Sequence, residues 1–60
     1  MTDPELVSEA IKASGLSASA FARDVLVRDP RTVFRMLKGA TPLSDIVRAK
    51  CQAVIDLASS

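Results

Sequence analysis

Histidine, tryptophan and tyrosine are absent from this chain, and cysteine occurs once. A single thiol cannot close an internal disulfide. Without histidine or a second cysteine, no zinc site of the usual kind can be assembled. No metal and no cofactor are therefore expected. A lone cysteine also suits a reducing compartment, which predicts a cytoplasmic protein. Two glycines and three prolines are too few for a turn-rich all-β fold, and the only aromatics are Phe21 and Phe34. The core must then come from Leu, Ile, Val, Ala and Met, a set that suits packed helices. No stretch approaches the ~20 apolar residues of a membrane helix. The opening "MTDPELVSEAIKASG" lacks the basic leader and apolar run of a signal peptide. Neither a membrane nor a small-molecule partner is expected.

The chain has 60 residues, 48% of them hydrophobic. That predicts a single domain, 1–60, near the lower size at which domains fold alone. Little would remain to line a deep substrate pocket once a core is filled. There is no glycine-rich phosphate loop and no nucleophile with a base at a recognisable spacing, and Ser17 and Cys51 have no evident catalytic partners. The chain is not expected to be an enzyme.

What the sequence does have is a local excess of positive charge. The formal net charge is only +1, yet residues 23–38 hold Arg23, Arg28, Arg31, Arg35 and Lys38 against Asp24 and Asp29, a local +3. The remainder is −2. A basic patch on an acidic body points to a polyanionic partner. The competing reading is a solvated helix face.

Cap signals and apolar spacing predict four helices. In "TDPELVSEAIKASG", either Thr2 with Glu5 or Asp3 with Pro4 opens the first helix, and Gly15 closes it. Leu6, Val7, Ala10 and Ile11 form its apolar face. In "LSASAFARDVLV", Ser17 is the N-cap, Leu16 and Phe21 are spaced as a hydrophobic staple, and Phe21, Ala22 and Val25 form the buried stripe. In "RDPRTVFRMLKG", Asp29 caps, Pro30 is the first helical residue and Gly39 ends the helix. At about 100° per residue, Val33, Met36 and Leu37 share one side, and Arg31, Arg35 and Lys38 lie roughly opposite. Phe34 falls at the rim and reads as a core-edge or helix-packing residue rather than a contact to a partner. The fourth helix, in "TPLSDIVRAKCQAVIDLASS", starts at Thr41-Pro42 or Ser44. Its apolar arc covers about half the wheel, wider than the ~100° one core face needs. Leu43, Val47, Val54 and Ala58 are assigned to the core. Cys51 and Ile55 are assigned to a dimer interface, the alternative being that the core uses the whole arc. Arg23, Asp24, Arg48 and Lys50 read as solvated charges. The fold class is all-α: a compact four-helix bundle.

The second and third helices, joined through "LVRD", follow a helix-turn-helix plan. The stretch "GLSASAFARDVLVRDPRTVFRMLKGATP" resembles the Cro and phage-repressor (Xre-like) helix-turn-helix family. The matching features are Leu16-Ser17, Phe21-Ala22, Val27 in the turn, "RTVFR" in the third helix and Gly39 after it. Ala18 and Ser19 stand where that family often has Gln or Glu, Leu26 near its usual turn glycine, and Met36 where a larger aromatic is frequent. The resemblance implies a cytoplasmic, dimeric repressor or autorepressor of phage or mobile-element type, with operator DNA as partner. The third helix would enter the major groove. Arg28, Arg31, Thr32 and Arg35 would read bases, and Ser17, Ser19 and Lys38 would contact phosphates. The competing function is a protein-interaction module, antitoxin- or adaptor-like, using the apolar fourth helix.

Overall fold

The computed structural model describes residues 2–59, so the two end residues of the expected 1–60 domain lie outside it. Helix α1 spans Asp3–Ser14. Its N-cap is Thr2 rather than Asp3: the Thr2 hydroxyl oxygen accepts from the Glu5 N–H at 3.4 Å and the hydroxyl donates to Glu5 Oε1 at 3.0 Å. Asp3 is thereby released for a second task. Its carboxylate accepts from the Leu43 N–H at 3.3 Å and from Arg48 Nη2 at 3.2 Å, pinning the start of α1 to the segment that leads into the last helix. Gly15, at φ 73°, ends α1 in the left-handed region that a residue without Cβ adopts freely.

Helix α2 covers Ala18–Phe21 and passes into a π-helical segment, Ala22–Leu26. Ser17 caps it, its Oγ accepting from the Ala20 N–H at 3.2 Å. The widened turn has a clear end. The Ala22 carbonyl accepts from both the Val27 and the Arg28 N–H, and Val27 takes the left-handed conformation at φ 53°. The turn is therefore shorter than expected. Leu26, expected within it, closes the helical segment and is buried, while the strained position falls one residue later. A β-branched residue there is unfavourable, because its Cβ crowds the following carbonyl.

Helix α3 spans Pro30–Leu37, with Asp29 as N-cap; Asp29 Oδ1 accepts from the Arg31 N–H at 2.9 Å. At its end the Gly39 N–H reaches the Met36 carbonyl and the Ala40 N–H the Arg35 carbonyl. This pair of bonds is a Schellman closure, with Gly39 at φ 78°. Helix α4 spans Asp45–Ser59. Ser44 is its N-cap, accepting from the Val47 N–H at 3.3 Å.

The protein is all-α: among the described residues there are four helices and no strand. Its radius of gyration is 10.1 Å, matching the ~10 Å expected of a compact chain this long. Helices α3 and α4 both pack on α1 and not on each other, so they present separate surfaces. The core holds Leu6, Val7 and Ala10 of α1, Phe21, Ala22 and Leu26, Val33 and Met36 of α3, and Leu43, Val47 and Cys51. Val25, expected in the buried stripe, is half-buried against it.

The assignment of Cys51 to a subunit interface is overturned. Cys51 is 0% exposed and belongs to the chain's own core. Val47 and Cys51, four residues apart on α4, lie on the side of that helix that packs on α1, and Leu43, just before the helix, is buried with them. Ile55, the other expected interface residue, packs half-buried against the same core. Ala58, expected inside, is exposed. The apolar surplus of α4 lies instead on the other edge, where Ile46 is 64% and Leu57 77% exposed, with exposed Ala49 and Ala53 between them. No helix among the described residues is long and apolar enough to cross a membrane.

Candidate nucleic-acid interface

The geometry of α3 follows from its caps. Asp29 and Pro30 fix where the helix begins, and the Schellman closure at Gly39 fixes where it stops. Between them Val33 and Met36 are anchored in the core, which sets the rotation of the helix about its axis. Everything on the opposite arc must then face water.

On that arc the expected base-reading residues Arg31 and Arg35 come together with the expected phosphate contact Lys38, all exposed. Arg28 is exposed in the turn just before α3. Thr32, also expected to read bases, is half-buried on the flank. Among the described residues Arg28, Arg35 and Lys38 have no carboxylate within ion-pair distance. Arg31 has one: its Nε lies 3.6 Å from Asp29 Oδ1. That contact is between exposed groups and is weak in water. Asp29 is held to the backbone as a cap, so it neither fully neutralises Arg31 nor stands free for a base.

The expected phosphate contacts on α2 are less uniform. Ser17 is exposed, and its oxygen is engaged as the cap; a hydroxyl that accepts in this way still has a proton to donate outward. Ser19 is half-buried, two residues further along.

Arg48 is a different kind of cation. The sequence places it among the solvated charges, but its guanidinium lies 3.2 Å from Asp3 and 3.8 Å from Asp45. Nothing in local spacing links residues 3 and 48; only the packing of α1 on α4 brings them together. Phe34 also departs in part from its expected place at the core edge. It is 46% exposed and stands beside the cations of α3, three residues after Arg31 and four before Lys38. Its rim position is legible in the helical spacing, but the degree of exposure depends on the final rotation of the helix.

Comparison with protein-family models, with curated proteins and with solved structures finds no match for this chain.

Proposed function

We propose that the protein is a sequence-specific DNA-binding transcriptional regulator, a dimeric repressor or autorepressor of phage or mobile-element type, that inserts α3 into the major groove. The observation that carries this reading is the exposed row of Arg31, Arg35 and Lys38, with Arg28 leading into it, largely without neutralising carboxylates among the described residues. Cations of this kind on one short, rigidly capped helix gain most by exchanging condensed counterions on a polyanion. An arginine fork matches guanine O6 and N7. The Ser17-capped α2, the turn at Val27 and the capped α3 follow the order of a helix-turn-helix. Such a regulator would act by occupying an operator.

A second copy belongs to the proposal, because one reading helix spans too few base pairs for useful selectivity. The exposed edge of α4 bearing Ile46, Ala49 and Ala53 is the surface we assign to it, in place of Cys51 and Ile55. The same edge supports the competing reading, an interaction module for another protein.

A duplex titration at two salt concentrations separates the two. DNA binding should weaken steeply with salt, by roughly 0.9 in log–log slope for each phosphate neutralised. A flat or absent response would favour the interaction module. Ile46→Glu should lower the solution mass to that of one chain while leaving the helix content intact; an unchanged dimeric mass would remove this edge from the interface.

A further inference from the structure

We infer that Phe34 is a specificity-determining residue that packs on thymine C5-methyl groups of duplex DNA. The inference rests on the reading of α3 given above. The core side of α3 is complete without Phe34, since Val33 and Met36 are buried and Leu37 packs at the margin. Phe34 leaves 46% of its surface in water. One exposed apolar residue is ordinary on a protein surface. This one is set apart by its neighbours, because residues three and four apart on a helix lie side by side. Arg31 and Lys38 are those neighbours, both exposed cations.

Any polyanion drawn to the cations brings what lies between its phosphates against the ring. In the major groove the apolar feature there is the thymine methyl, which no other base carries. A phenyl ring neither donates nor accepts a hydrogen bond, so it adds a preference the arginines cannot supply: thymine over cytosine at the same edge. The alternative is stacking on the unpaired bases of a single strand. Such platforms present several aromatic rings to successive bases. Here the only other aromatic, Phe21, is fully buried, so a platform cannot be built.

The test starts from the duplex selected out of random DNA by the native protein. Each thymine is replaced singly by deoxyuridine, which removes the methyl and nothing else. One or two positions should weaken binding about three- to fivefold, the worth of one buried methyl-sized group. At those positions Phe34→Ala should bind the thymine and uracil duplexes equally, and Phe34→Leu should restore part of the difference. Helix content and thermal midpoint, read on the same samples, verify that both variants are folded. If no position responds to uracil, or if Phe34→Ala stays as sensitive as the native protein, the inference is overturned while the role of α3 stands. Tighter binding to a single strand than to the duplex would overturn it in favour of stacking. The reading of α3 has its own control: Arg31→Ala with Arg35→Ala must abolish the sequence preference, and an unchanged preference would remove that reading together with Phe34.

Discussion

Arg48 and Arg35 are the same residue type on two exposed helix faces, and they sit in opposite electrostatic situations. Arg48 is bracketed by Asp3 and Asp45, and one of those carboxylates also holds the Leu43 N–H. It is part of the clasp that joins α1 to α4. Arg35 has no carboxylate within reach among the described residues, and neither do Arg28 and Lys38. A cation already flanked by two carboxylates of its own chain gains less from an outside anion, even where those pairs stay partly in water. An unanswered one keeps its full attraction. Position in the fold, rather than residue type, separates the structural arginine from the candidate reader.

That contrast can be broken most forcefully at α3. Replacing Arg31 and Arg35 together by Ala should cost about 2–6 kcal/mol of binding to the preferred duplex, about 1–3 for each arginine that pairs with a base. The thermal midpoint should hardly move, because neither side chain supports the core. A titration by fluorescence anisotropy and a melt on the same sample check both halves.

A smaller effect tests the hinge between α2 and α3. Val27 is 75% exposed and left-handed, so its side chain contributes little packing while its backbone is strained. Val27→Gly should stabilise the fold by about 0.5–1 kcal/mol, the relief of the left-handed backbone less the extra freedom of glycine in the unfolded chain. A urea midpoint that falls would show that Val27 supports the turn in some other way.

At the clasp the signs reverse. Asp3→Ala should lower stability by about 1 kcal/mol, mostly from the Leu43 N–H deprived of its acceptor. The Arg48 pair adds little, because its members remain partly in water. DNA affinity should be unchanged. A fall in affinity with stability intact would place the clasp on the binding surface and erase the contrast.

The smallest effect concerns Cys51. Burial pushes its thiol pKa up from the usual 9.0, because the thiolate cannot be solvated in the core. The folded state therefore holds the proton more tightly than the unfolded one. This contribution is fully present below about pH 9 and is lost as pH rises through the raised value. The urea midpoint of the native protein should fall more steeply above about pH 9 than that of Cys51→Ala, and thiol-specific reagents should label Cys51 only on unfolding. Equal pH profiles and rapid labelling of the folded chain would contradict its burial.

Much of this molecule is written in local sequence. Thr2, Gly15, Ser17, Asp29-Pro30 and Gly39 punctuate the helices because capping and left-handed backbone depend on a few adjacent atoms. The buried faces of α1 and α3 are legible because three or four apolar residues at helical spacing define a narrow stripe. The local excess of arginine around α3 is equally plain, since charge requires no folding to be counted. What the tertiary structure alone decided is how each helix is rotated and which distant groups meet. On α4 the apolar arc is too wide to reveal its own centre, and only packing on α1 turns Cys51 inward and leaves Ile46 outside. The clasp between Asp3 and Arg48 spans 45 positions, a pairing that no local preference encodes. The one-residue displacement of the strained turn to Val27 comes with a π-helical segment that carries Leu26 into the core, and burial of that kind is settled by packing rather than by any turn residue.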